Sequence, residues 1–202
     1  VKWELELSDT DSSMTEMLTM QKEEANIGFA KYIAKNYMNW VDPKNLGKMV
    51  EGKPVMSPDI FKTKLFPMLD KGEKVFLIVI DNFRYDQWQM LAKDIGDMYD
   101  IEEDMYMSIL PTATQYARNA IFSGLMPNKI AEMFPDLWVD EDEEEGKNLN
   151  EEPLVKTQIE RFRRHDTFSY HKINDSMAGE KMLEHFNDML KNDLNVIVVN
   201  FI

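Results

Sequence analysis

Glu73-Lys74-Val75-Phe76-Leu77-Ile78-Val79-Ile80-Asp81-Asn82 is the stretch that decides the fold of this 202-residue chain. Six consecutive apolar residues, most of them β-branched, read as a strand buried on both faces. Beyond it, strand and helix alternate. The pattern predicts a helix from about Arg84 to Ile95, a strand near Met105 to Leu110 and a helix from about Thr114 to Phe122. A long irregular stretch follows, then a helix Pro153 to Arg164, a strand Phe168 to Ile173, a helix Ser176 to Leu190 and a strand Val196 to Ile202. Alternation of this kind predicts an α/β fold, a mainly parallel sheet with helices on both faces.

On the N-terminal side no strand candidate is present. Ser13-Met14-Thr15-Glu16 is a capping box, in which serine and glutamate satisfy each other's exposed backbone donors. Apolar residues then recur at Met14, Met17, Leu18, Ala25, Phe29, Tyr32, Ile33, Tyr37 and Trp40, one helical stripe that Asp42-Pro43 stops. The Met14, Met17 and Met20 part of the stripe reads as helix core before it reads as an adaptable interface. Ser57-Pro58-Asp59 reads as an N-cap with proline at the first helical position, leading on to Leu69. The boundary falls near residue 72, so that 1–72 is a helical connector and 73–202 the first part of a sheet domain.

With 23 basic and 37 acidic side chains the formal charge is −14, which repels polyanions. Stable binding to a nucleic-acid duplex is therefore not expected. The apolar runs fall short of the roughly 18 residues a membrane span needs, so no membrane insertion is expected either, and a cytoplasmic protein is. Cysteine is absent, which excludes a disulfide scaffold and a cysteine nucleophile. The run Asp140-Glu141-Asp142-Glu143-Glu144-Glu145 reads as a solvated loop. The chain opens on Val1 and closes inside an apolar run, the pattern expected of a piece of a longer protein.

In an open parallel sheet the ligand crevice lies at the carboxyl ends of the strands. Asp81 directly follows the first strand, where a carboxylate serves as a hard ligand for a divalent cation or as a turn or cap residue. Thr114 opens the helix after the second predicted strand, in Pro111-Thr112-Ala113-Thr114-Gln115-Tyr116-Ala117-Arg118. A threonine there is a cap, or a hydroxyl aimed at a phosphate that the helix N-terminus favours. It is a poor nucleophile unless a base or metal takes its proton, and Asp81 is the candidate metal ligand.

Val79-Ile80-Asp81, Pro111-Thr112-x-Thr114 and Ser123-Gly124-Leu125-x-Pro127 together resemble the metal and nucleophile signature of the alkaline phosphatase superfamily, especially its nucleotide phosphodiesterase branch. More closely, Ile80 to Trp88 and Pro111 to Pro127 resemble the PglZ domain of the PorX-type response regulators that control type IX secretion in Bacteroidetes. Trp3-Glu4-Leu5-Glu6-Leu7 and Met20 to Asn26 are similar to the three-helix connector of that family. The resemblance implies a zinc-dependent phosphodiesterase or phosphatase in a two-component regulator. Asp81 would be a Zn2+ ligand, and Thr114 both ligand and nucleophile, with Thr112 the rival hydroxyl. Arg118 would contact the equatorial oxygens, unless it faces solvent.

It further implies a two-metal site whose other ligands lie beyond Ile202, and a fragment that turns over little. The partners implied are a phosphate-ester or nucleotide substrate, a histidine kinase acting through a receiver domain, and a second copy in a homodimer. The alternative is a non-catalytic interaction module that binds a secretion or sigma-factor partner. Two departures stand out. Ala117 replaces the asparagine that follows the nucleophile by three residues in the phosphodiesterase branch, and His165, His171 and His185 lack the family spacing. The histidines read as structural, His165 at a helix C-terminus.

Overall fold

The computed structural model describes residues 12–45, 50–139 and 148–200. The acidic run 140–145, the Trp3 to Leu7 stretch and Phe201-Ile202 lie outside the described residues. In chain order the elements are helix α1 (Ser12–Val41), a 3-10 turn (Ser57–Asp59), a π-helical segment (Phe61–Leu65), α2 (Phe66–Asp70) and strand β1 (Val75–Ile80). Then come α3 (Tyr85–Ile95), α4 (Thr114–Ser123), α5 (Pro127–Met133) and a 3-10 turn (Pro135–Leu137). The chain closes on α6 (Glu151–Arg161), β2 (Phe168–Ile173), α7 (Ser176–Glu184), α8 (Phe186–Met189) and β3 (Leu194–Val199). Among the described residues no helix is long and apolar enough to cross a membrane.

Two compact units are present: Val1–Lys53 with Phe83–Glu103, and Pro54–Asn82 with Asp104–Ile202. In the first, α1 runs unbroken from one residue before the capping box to Val41, where Asp42-Pro43 stops it as the sequence predicts. Its apolar stripe is not a core. Met14, Met17, Met20, Phe29 and Tyr32 are exposed, Met20 at 71%, and the buried residue is Trp40, whose ring lies 5.6 Å from that of Tyr32. A helix of thirty residues spans about 45 Å, and in this unit burial reaches it chiefly near its C-terminal end.

The second unit holds a three-stranded sheet of order β1-β3-β2, all parallel, with Val75 and Phe168 both opposite Leu194 and Ile80 and Ile173 both opposite Val199. The strand buried throughout is the central β3. β1, expected to be buried on both faces, stands at an edge of the described sheet, and Ile78 is 55% exposed. Alternation sends Leu77, Val79, Val196, Val198 and Tyr170 to one face, where they pack with Phe61, Leu65, Phe66, Phe122, Leu154 and Val155 of the flanking helices. Phe76, Ile80, Ile173, Ile197 and Val199 point to the other face and pack with Ala178 and Met182 of α7 and Met189 of α8.

Because Phe61, Leu65, Phe66 and Leu69 share the core of Val75, the unit begins at Pro54. The change at residue 72 marks a change of secondary structure. Met105 to Leu110 is not a strand. It makes one isolated parallel bridge, Met107 to Met56, with Met107 N donating to Val55 O at 2.7 Å. Two residues on, the N–H of Ile109 goes to Ser57 Oγ at 3.2 Å, which ends any ladder and makes Ser57 a buried acceptor instead of a helix cap. The stretch expected to be irregular contains α5 and the turn at Pro135–Leu137. The last predicted helix is divided at His185.

Candidate functional site

β1 delivers Asp81 to the carboxyl edge of the sheet. Its N–H extends the register by one bond, to Val199 O at 2.9 Å. Asn82 then turns the chain away at φ 55°, a left-handed conformation that asparagine tolerates better than most side chains, and its N–H donates to Asp81 Oδ1 at 3.1 Å. The chain returns to this edge through the cis Leu110–Pro111 bond, and Thr114 is the first residue of α4. The N-cap is Ala113, which has no side-chain acceptor to offer. The hydroxyl of Thr114 is directed at Asp81, 3.4 Å from each carboxylate oxygen, a long O–H···O contact. Thr112 is exposed in the preceding loop.

One turn along α4 stands Arg118. It does not face solvent: the residue is 4% exposed. Its Nη1 lies 3.4 Å from Asp81 Oδ2 and donates to Asn200 Oδ1 at 2.7 Å, while Nε pairs with Glu151 Oε1. Glu151, first residue of α6 and wholly buried, accepts through Oε2 from Tyr170 OH at 2.5 Å and Lys172 Nζ at 3.1 Å. Lys172 also donates to Asn148 O at 2.8 Å. Asn200 donates to Asn174 Oδ1 at 2.9 Å. Two anions and two cations thus balance within one network. Burial, and then the bond to Glu151, push the Tyr170 hydroxyl far above the usual range, so it stays a donor.

The far end of α4 explains the Ser123-Gly124-Leu125 signature as architecture. Gly124 sits at φ +64°, and a Cβ there would come within 2.9 Å of Gln158 Cδ. Gln158, fully buried, turns its amide nitrogen to the carbonyls of Phe122 at 2.7 Å and Ile121 at 3.2 Å. Arg161 Nη1 donates to Ser123 O at 3.0 Å, a cation at the negative end of the helix. Both caps come from α6. The helix that carries Thr114 is therefore anchored at its opposite end.

Several of these residues escape a motif reading. Tyr170 and Lys172 lie two apart and share a strand face, and Asn200 follows β3 as Asp81 follows β1, so strand-end reasoning reaches Asn200. Glu151 gives no such signal, being one more acidic residue in a helix's first turn. His165 is exposed in the loop after α6, four residues beyond its last turn, and not at the helix C-terminus. His171 is in β2 and His185 joins α7 to α8.

Asp81 and Thr114 are hard oxygen donors suited to a divalent cation. They are two, where a catalytic zinc takes three protein ligands. Among the described residues no group of three or more His, Cys, Asp or Glu side chains gathers to hold a metal. The pair fits as part of a ligand set.

No curated protein matches the chain. Residues 1–41 match the PorX response regulator linker domain. Residues 60–202 match the BREX system PglZ alkaline phosphatase-like domain, and with that domain on that linker the chain belongs to the PglZ family in its PorX-type regulator form.

Proposed function

We propose that the PglZ domain of this regulator hydrolyses phosphate esters, nucleotide phosphodiesters foremost, with Thr114 as nucleophile. The observation that supports this most is the Thr114 hydroxyl held 3.4 Å from both Asp81 oxygens at the first residue of α4. A divalent cation, zinc by family likeness, held by Asp81 and Thr114 with ligands from elsewhere in the protein, would supply the charge that makes the hydroxyl acidic at neutral pH. Thr114 Oγ1 forms a bond to phosphorus, the P–O bond to the leaving alcohol breaks, and water then cleaves the phosphothreonine. The N–H groups of Thr114 and Gln115 lack intrahelical acceptors and favour the negative equatorial oxygens. Phosphorylation of a receiver domain by a histidine kinase and pairing of two copies are the proposed regulation.

The test uses the full-length regulator, with zinc content and aryl phosphodiester hydrolysis measured for parent, Asp81→Ala and Thr114→Val. Asp81→Ala should lose metal. Thr114→Val should keep the fold and lose turnover by at least about 10³-fold. Unchanged turnover in Thr114→Val removes the nucleophile assignment. A parent that binds zinc yet hydrolyses no monoester, diester or cyclic nucleotide makes the interaction module the better account.

A further inference from the structure

Arg118 is a buried cation already engaged by Glu151 and Asn200, and Glu151 a buried anion outside the reacting pair. A buried carboxylate is costly unless its oxygens are satisfied, and Glu151 meets this with Arg118 Nε, Tyr170 OH and Lys172 Nζ. The guanidinium is planar and rigid, so its anchors decide where its remaining atoms stand. Here Nε is fixed on Glu151 and Nη1 on Asn200, and this places Nη1 3.4 Å from Asp81 Oδ2.

We propose that Glu151 is a positioning residue that acts through Arg118 to hold Asp81 in place and to set the local field at position 114. This rests on the reading of Thr114 as nucleophile, but its test requires no hydrolysis. With Glu151 present, part of the Arg118 charge is spent on it and part on Asp81. Removing the Glu151 charge leaves Arg118 to act on Asp81 alone and makes the potential at position 114 more positive. Removing Arg118 leaves Asp81 facing position 114 uncompensated. The two changes have opposite signs.

These 202 residues have no cysteine, so Thr114→Cys introduces one thiol at the site, and its adduct is followed in the full-length regulator by peptide mass at position 114. Its alkylation by iodoacetamide, in chelator at one fixed pH, reads the local field, because the thiolate reacts and nearby charge sets its share. In that background, in the full-length regulator, Glu151→Gln should speed alkylation about threefold to tenfold and Arg118→Met slow it by a similar factor. Adding Glu151→Gln to Arg118→Met should change the rate less than about twofold, since the effect runs through Arg118.

A purely structural role would loosen the site in both single variants and move both rates the same way. That result, or rates within about twofold of the parent background in both, overturns the proposal. If Arg118→Met alone does not fold, the apolar pair Arg118→Met with Glu151→Met replaces it, buried ion pairs often being exchangeable for apolar residues. Slower alkylation is then expected, and an unchanged rate overturns the proposal. Opposite signs here together with no phosphoester hydrolysis by the parent leave the positioning standing and remove the hydrolase reading.

Discussion

On one face of the sheet β2 presents Tyr170 and Lys172, whose polar ends reach Glu151, while the apolar residues around them pack under α4 and α6. On the other face the same strand presents His171, whose Nε2 is buried without a partner among the described residues, and the neighbouring Asn195 leaves its Nδ2 unpaired. Asn195 is anchored through Oδ1, which accepts from Ser169 Oγ at 2.7 Å. The buried apolar core on that side is Ile173, Met189, Ile197 and Val199 among the described residues, far smaller than its counterpart. The first face supports Thr114 and Asp81, and there too a buried acceptor, Asn148 Oδ1, lacks a partner among the described residues. The second differs in packing, its buried core being the smaller of the two among the described residues. Packing is concentrated on the side that orients the site.

Cavities separate the two faces most sharply. Phe122, fully buried and edge-on to Tyr170 at 6.3 Å, should cost about 3–5 kcal/mol on truncation to alanine. Met189→Ala on the other face should cost about 2 kcal/mol, the low end for its kind, because a small core against short helices relaxes into the space. Urea unfolding of both variants measures the difference. Equal costs would mean that the two faces are equally rigid.

The next effect is at the anchor of α4. Gly124→Ala places a Cβ 2.9 Å from Gln158 Cδ at φ +64°, so it adds strain and displaces the side chain that caps Phe122 and Ile121. A loss of about 2–3 kcal/mol is expected, with turnover falling as the N-terminal end of α4 shifts. Gln158→Ala in the same background opens the space. If the clash is the main cause, the double variant recovers part of the loss; if it recovers none, backbone strain at Gly124 dominates.

The sequence made the sheet visible where apolar runs are long. β1 and β2 fall on their predicted residues, and the helix at Thr114 begins where the pattern places it, because burial leaves a periodic signature. Met105 to Leu110 carries the same apolar signal without a strand, since what stops its ladder is a side chain, Ser57, fifty-two residues away. The exposed stripe of α1 shows the converse: periodicity reports which face is apolar, not whether anything covers it. At the site, Asp81 and Thr114 were legible from strand-end position and helix start. Glu151 and the burial of Arg118 were not, because a buried ion pair joined across α4 and α6 depends on tertiary proximity that no local pattern encodes.

His171 gives the smallest effect and the closest comparison of the faces, since Tyr170 and Lys172 beside it are partnered. Burial holds its imidazole below the ordinary histidine value, His185 adds to the effect and Glu152 opposes it. The native state therefore binds fewer protons than the unfolded chain, whose histidine titrates near pH 6.5. The contribution is fully present above about pH 6.5 and is lost progressively as pH falls through the folded value. The ring is only part-buried, so solvent screens the charge and the loss between about pH 7.5 and 5.5 should stay below about 1 kcal/mol. His171→Leu removes both the titration and the unpaired nitrogen. Its unfolding free energy should match or exceed the parent's at about pH 5.5 and vary less across this window. A parent and variant with parallel pH profiles would show that folding leaves the titration of this imidazole unchanged and would remove the effect assigned to its burial.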